Sequence, residues 1–399
     1  MNEQSIERLP DGFVYEAMVA GIKKSGKLDL SLIASTGPAV AAGVYTQNLV
    51  HATSIDWCRA RTPSDRIRAI VVNSGNANAC TGPEGETNNR RLAELAGKHI
   101  ACQADEVLVL STGVIGRQLP MSIIEAAWQR FPTLSASQES YLRAADGITT
   151  TDNRRKVATG TFTHGGQIYS VANMAKGAGM IGPNMATMLA VVTTDFPLSA
   201  PLAQAAVSAA ANHSFNRISV EGHTSTNDSV LLLANGAVGG PALTGDSLAK
   251  FQATLVEVCE DLAQSIPADG EGATHLITVE VHGCRTRDEA IQIAKTVADS
   301  PLVKTAVAGN DPNWGRIVSA AGYAGVHFDA SKVCLHLNGS LLYERGQPVP
   351  FNGEAVSDAM AADRNTGIVL LFEEGDQSAR FWTSDLTAEY VRLNADYRT

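Results

Sequence analysis

The sequence predicts a fold in which strands and helices are interspersed, α/β or α+β. Three features point to it. Short β-rich runs alternate along the chain with segments whose apolar residues fall every three or four positions. Glycine is abundant, at 35 of 399 residues, and aromatics make up only 6%, so turns and small-residue contacts must be frequent. With 44% hydrophobic residues, the chain can bury one large core or two domains. No low-complexity linker divides it, and no repeat of roughly 20–50 residues is visible.

The elements follow in order. Runs at 29–35, 40–46 and 69–73 have the length and composition of strands. A helix at 87–100 opens after GPEGE, and a strand at 106–111 comes next. The helix at 122–131 stands behind a proline, a common helix start. Strands are expected at 156–163, 167–173 and 189–194. Helices at 198–212, 247–265 and 286–299 show clear 3–4 spacing, with a strand at 276–281. Strands at 333–337, 367–372 and 379–383 complete the chain.

Composition removes several function classes. The net charge is −10 and no dense Lys/Arg run appears, which disfavours a nucleic-acid surface. No apolar run reaches membrane-spanning length. The start, MNEQSIERLPDGFVYEAMVAG, is polar and lacks a signal-peptide core, so a cytoplasmic protein is expected. None of the six cysteines forms a C-x-x-C pair, and reduced, mostly core thiols are expected. The nine histidines are scattered, with no H-E-x-x-H or Cys/His cluster, so no metal centre is expected.

The stretch 177–182 reads GAGMIG, a literal G-x-G-x-x-G. A strand-like run precedes it, and another follows and ends in Asp195, as in a dinucleotide-binding unit. That unit needs a crossover helix of about 10–12 residues between parallel strands. Only Pro183 to Met188 separate Gly182 from Leu189. The length excludes the dinucleotide reading and favours a hairpin or a broken loop.

Ala186 and Thr187 follow the glycines, a small residue before a hydroxyl at the entrance of a strand. This pattern suits an enzyme that makes its nucleophile by cutting its own chain. Thr187 Oγ would attack the Ala186 carbonyl, and water would release Thr187 as a new N-terminus. Its α-amine, with a pKa of about 7.7–8.0, could serve as base for its own hydroxyl. The plain alternative is a threonine that simply opens a strand.

Beyond these two residues, KGAGMIGPNMATML (176–189) closely resembles the processing motif of the ornithine acetyltransferase, or glutamate N-acetyltransferase, family. Further matching segments occur in order: VVNSGNANACTG (71–82), LSTGVIGRQLPM (110–121), TTTDNRRK (149–156), FNRISVEGHTSTND (215–228), ADGEGATHLI (268–277), SPLVKTAVAGNDPNWGRI (300–317) and YVRLNADYRT (390–399). The likeness covers nearly the whole chain.

The resemblance implies a reaction. Acetyl passes from N2-acetylornithine to Thr187, then from the acetyl-enzyme to glutamate, recycling acetyl in arginine biosynthesis with ping-pong kinetics. It implies no cofactor, although some members also use acetyl-CoA as a donor. It implies an α/β sandwich with stacked β-sheets between helical layers. It also implies an α chain of residues 1–186 and a β chain of 187–399, forming one intertwined catalytic unit that assembles as α2β2 or larger.

Site residues follow by motif position. Thr112 and Gly113 would form the oxyanion hole. Lys176 would hold a substrate carboxylate, Thr150 would contact substrate, and Glu271 could face the ornithine ammonium. Asn394 and Thr399 would complete the site, which requires the chain end to be docked rather than frayed. The stretch around 310–317 is expected near the site without a catalytic role. Read bare, Thr112–Gly113 is a strand ending in a turn, Lys176 a surface lysine and Glu271 a solvated loop acid.

Three positions depart from the family pattern. His223 stands where an acid is more usual, Asn153-Arg154-Arg155 where threonine, any residue and proline are, and Gly182 where alanine or glutamate is. Two other readings share the motifs or the nucleophile: a self-processing amidase or aminopeptidase that passes the acyl group to water, and a specialised acetyltransferase of secondary metabolism.

Overall fold

The computed structural model describes residues 6–182, 188–240 and 243–396. In chain order the first half contains β1 (Phe13–Met18), β2 (Leu30–Tyr45), α1 (Thr53–Arg59), β3 (Ser64–Asn76), α2 (Gly82–His99), β4 (Val107–Val114), α3 (Met121–Trp128), α4 (Gln138–Gly147), β5 (Lys156–His164) and β6 (Gln167–Lys176). Then come β7 (Leu189–Thr194), α5 (Ala200–His213), β8 (Ile218–Ser219), β9 (Ser229–Ala234), α6 (Asp246–Ala268), β10 (Leu276–Cys284), α7 (Arg287–Asp299), α8 (Pro301–Ala308) and α9 (Trp314–Gly322). The chain continues with β11 (Cys334–Leu337), β12 (Ser340–Glu344), β13 (Gln347–Pro348), α10 (Gly353–Ala362), β14 (Asn365–Leu371), β15 (Gln377–Ser384) and α11 (Ala388–Asp396).

These elements build two stacked sheets with helices, the class expected from the resemblance. The first runs β4-β3-β2-β9-β7-β6-β5, with β1 also on β2; the second runs β13-β12-β11-β14-β10-β15-β8. The central strands β7 (LAVVTT) and β9 (SVLLLA) are apolar along most of their length because both faces are covered. Leu189 and Val191 join a core with α1 and α4, while Ala190 and Val192 join a core with α5 and α6. Helix α6 places Phe251, Leu255, Val258, Leu262 and Ile266 on one stripe in that second core. It packs on β5 and β6 of the first sheet and reaches β15 and β8 of the second. Trp382 of β15 enters the same core. The far face of the second sheet is covered by α7 to α10.

Several elements differ from expectation. The two strands expected at 29–35 and 40–46 are one strand, β2, irregular where its pairing to β3 shifts between Ala34 and Ala41. β1, β9 and α4 are among the elements that the sequence patterns do not predict. The helix expected from residue 87 starts at Gly82, with a proline in its first turn.

The glycine-rich stretch lies between β6 and β7. These strands pair antiparallel from Val171↔Thr194 to Lys176↔Leu189, so they form a hairpin and not a parallel crossover unit. Asp195 holds backbone together rather than a ribose, for its oxygens accept the Ser170 N–H at 2.8 Å and the Asp11 N–H at 3.0 Å. All six cysteines are unpaired. Among the described residues, no helix is long and apolar enough to cross a membrane.

Candidate active site

A cavity of about 550 Å³ opens at the ends of β4, β6 and β7. Thr112, Gly113, Thr150, Lys176, Glu271 and Asn394 all line it, although they come from five separate stretches of sequence. Ala186, Thr187 and Thr399 lie outside the described residues. The flanks of 183–187 contribute to the wall, Gly179 and Met180 on one side and Met188 and Leu189 on the other.

Thr112 and Gly113 lie just before the end of β4 at Val114, and β4 runs parallel to β3. Gly113 has φ 133°, and a Cβ there would come within 2.3 Å of the Gly75 carbonyl carbon. Only glycine fits so close an approach. The corner is anchored from below. Asn227 donates through Nδ2 to the Ser111 carbonyl at 2.8 Å and to the Ala77 carbonyl at 2.7 Å. Ser111 Oγ donates to Asn73 Oδ1 at 2.6 Å. Sequence reasoning does not single out Asn227; its place in the FNRISVEGHTSTND motif is the one available signal.

Lys176 closes β6 and is only 9% exposed, so it is not the surface lysine of the bare reading. Its Nζ donates to Thr112 Oγ1 at 3.3 Å, and among the described residues it has no ion pair. Burial pushes its pKa down and nearby Lys156 adds to this, while Asp152, Asp228 and Glu271 oppose it.

Behind Lys176 lies a buried ionic network. Lys156, 1% exposed, donates to Asp152 and Asp269, both at 2.7 Å. Asp152 also accepts the Gly177 N–H at 2.7 Å and the Thr150 N–H at 2.9 Å. Burial alone would raise the Asp152 pKa, but Lys156 and Lys176 outweigh it and hold the carboxyl well below its usual range. One carboxylate thus fixes both Thr150 and the start of the glycine stretch. Asn153, at a departure from the family pattern, donates its N–H to Asp269 at 3.1 Å.

Glu271 enters from the loop after α6. Its N–H donates to the Ala178 carbonyl at 2.8 Å, and a Cβ on Gly179 would sit 2.6 Å from its carboxyl carbon. The second glycine of GAGMIG therefore makes room for Glu271. Asn394 of α11 donates to Glu271 Oε2 at 3.0 Å. Gly272 lets α11 approach: it has φ 70°, and a Cβ there would lie 2.5 Å from the Tyr390 nitrogen.

The third glycine has another partner. A Cβ on Gly182 would come within 2.2 Å of the Gly222 carbonyl carbon. Glu221 Oε1 accepts the Ile181 N–H at 2.6 Å, and the Ile181 carbonyl accepts the Val220 N–H at 2.9 Å. Burial pushes the Glu221 pKa up to about 8, with Glu271 adding to the rise and the Ile181 N–H opposing it.

The stretch around 310–317, expected near the site, lies elsewhere. It leads into α9 on the second sheet, and none of its residues lines the cavity. Its polar groups serve the helix: Asn313 Oδ1 accepts the Arg316 N–H at 3.1 Å, and Arg316 donates to the Leu302 carbonyl at 2.9 Å.

Stacked sheets with helices, and a cavity between hairpin and helix whose wall holds separated cationic and anionic groups, are the fold and cleft of an α/β enzyme. The ArgJ family model matches residues 14–399, and the chain belongs to that family. It is 45% identical over 395 residues to the arginine biosynthesis bifunctional protein ArgJ of Rhodopirellula baltica, covering 98% of this chain and 96% of that one. It is similar to the solved arginine biosynthesis bifunctional protein argJ of Bacillus halodurans, at 40% identity and TM-score 0.52, covering 53% of this chain and 100% of that one. It also matches ornithine acetyltransferase of Mycobacterium tuberculosis, solved with ornithine, at 36% identity and TM-score 0.40, covering 44% of this chain and 93% of that one.

Proposed function

We propose that the protein transfers acetyl from N2-acetylornithine to glutamate through an acetyl ester on Thr187, within arginine biosynthesis. The observation that carries this reading is the meeting of Lys176, Glu271, Asn394 and the Thr112–Gly113 corner in one cavity flanked by Gly179 and Met188. Lys176 suits the α-carboxylate of an amino acid and Glu271 a side-chain ammonium. Membership of a family whose relatives are named bifunctional arginine biosynthesis proteins supports the same assignment.

The chemistry runs in two halves. Thr187 Oγ attacks the acetyl carbonyl while its own α-amine takes the hydroxyl proton. The Thr112 hydroxyl and the Gly113 N–H stabilise the tetrahedral oxygen. The C–N bond breaks, the proton passes to the leaving amine, and ornithine departs. Glutamate's amine then attacks the ester and releases Thr187. The free α-amine arises earlier, when Thr187 Oγ attacks the Ala186 carbonyl and water hydrolyses the resulting ester, giving chains 1–186 and 187–399. We assign no cofactor, leave acetyl-CoA as an alternative donor, and place the enzyme in the cytoplasm as α2β2 or larger.

Intact mass under denaturing conditions tests the nucleophile. Wild type should give fragments of 186 and about 213 residues, the latter being the remainder of 399. Thr187→Ala should stay whole and inactive. An uncut wild-type chain would end the self-processing reading. Acetyl release that is indifferent to glutamate would instead indicate an amidase.

A further inference from the structure

A second cavity, of about 190 Å³, lies where α5 ends and α7 begins, against β10 and β15. It shares no lining residue with the larger cavity. Its wall holds Arg217, Arg287 and Arg380, together with His213, Glu260 and Glu280.

The charges do not cancel. Arg380 donates to Glu280 Oε1 at 2.9 Å, and the other Glu280 oxygen lies 3.4 Å from His282, so those groups are matched. Arg217 and Arg287 have no ion pair among the described residues. Arg217 is 6% exposed, and its guanidinium makes one hydrogen bond, from Nε to the Asn212 carbonyl at 2.9 Å. That bond caps the end of α5 and accounts for one N–H of five. The other four have no acceptor among the described residues.

Arg287 offers its terminal nitrogens to the His213 ring at 3.1–3.2 Å. Burial, then Arg287 and Arg217, push the His213 pKa down, so the ring faces the guanidinium as a neutral acceptor. Burial also lowers Arg217 to about 10 and Arg287 adds to that shift, while the more distant charges of Glu260 and Asp288 oppose it. Glu260, the remaining carboxylate in the wall, hydrogen-bonds neither arginine. The remaining N–H groups of Arg217 are not among the buried unpartnered atoms, so they face the open cavity, where a ligand can meet them. Paired guanidinium forks match the oxygens of carboxylate and phosphate.

We propose that this cavity binds a small oxyanion, a carboxylate or phosphate group held between Arg217 and Arg287, at a site separate from the catalytic cavity. The bound anion would complete the hydrogen bonding of Arg217 and offset the repulsion between the two cations. It would also tie the end of α5 to the start of α7, joining the helices of the two sheets.

The test uses the full-length purified protein, with phosphate and succinate as probes and chloride at matched ionic strength as control. Calorimetric titration of wild type should show saturable binding of at least one probe, absent with chloride. Arg287→Gln should weaken it about 10-fold or more, the loss of a charge-assisted bond. Arg217→Lys, which keeps the charge for folding, should also weaken it by removing the fork. Acetyl transfer measured without added anion should be unchanged in Arg287→Gln. Binding of phosphate alone would assign a phosphate ligand, and of succinate alone a carboxylate. Both probes behaving like chloride, or Arg287→Gln binding as tightly as wild type, would overturn the proposal.

Discussion

At the residue scale, the cavity wall holds a cation, Lys176, and an anion, Glu271, that form no ion pair with each other. Lys176 has no carboxylate partner within ion-pair distance among the described residues, and Glu271 has only the amide of Asn394. If Glu271 receives the substrate ammonium, Glu271→Gln should raise KM for N2-acetylornithine by about 10- to 100-fold, since bonds to charged groups contribute about 1.5–3 kcal/mol. An acetylated amino acid with an uncharged side chain should lose far less. Equal losses for the two would remove Glu271 from that role. Glu221 makes a different prediction. Its pKa in the folded protein is about 8, above its ordinary value of 4.5. The native state therefore keeps a proton that the unfolded chain has released, and stability falls as pH rises through that window. Glu221→Gln keeps an acceptor for the Ile181 N–H but cannot ionise. Its melting temperature should fall less than that of wild type between about pH 5 and pH 8; parallel curves would place the pH dependence elsewhere. The sequence makes these residues unequally visible. Glu271 is found through a motif, while the bare readings of Lys176 and Glu271 miss them because burial and partners depend on distant segments. Asn227 and Glu221 act through backbone groups more than 35 positions away, and no local pattern encodes that.

At the element scale, three glycines of one motif answer to three neighbours. Gly179 leaves space for Glu271, Gly182 for Gly222, and Gly177 donates its N–H to Asp152. The G-x-G-x-x-G spacing is legible in the sequence, and hairpin length is enough to exclude the dinucleotide reading; which neighbour each glycine serves is not. The same division holds for the strands. β7 is legible as a short β-rich run, but SVLLLA of β9 is ambiguous between a buried strand and a helix segment. Nothing local says that it inserts between β2 and β7. Helix α11 buries no side chain, so no core packing fixes its place. It is held instead through the loop at Gly272, where Thr387 Oγ1 donates to the carbonyl at 2.7 Å. Gly272→Ala should displace α11 and Asn394 with it. We expect a stability loss of about 1–2 kcal/mol from the left-handed backbone and a rise in donor KM that exceeds any fall in kcat. A wild-type KM would show that α11 takes no part in substrate binding.

At the scale of the whole molecule, the order of strands decides what a cut between Ala186 and Thr187 would do. In the first sheet, β7 and β9 are adjacent and both lie after residue 187. They are flanked by β2 and β6, which lie before residue 186: β9 pairs with β2 from Val40↔Ala234 to Tyr45↔Ser229, and β7 pairs with β6. The second sheet is built entirely from residues after 187. Parting the chains would break two central ladders and open both cores that cover the faces of β7. No disulfide is needed to prevent this, and all six cysteines are free. The processed chains should therefore co-elute on size exclusion under native conditions, with or without reductant, and separate only in denaturant. Residues 1–186 produced alone should aggregate, because β2 and β6 would present open edges to one another and to other copies. Fragments that part under native conditions would mean that β9 and β7 do not hold their places once the connection is cut. The hairpin would then owe its geometry to the intact chain, and processing would be a step that remodels the sheet.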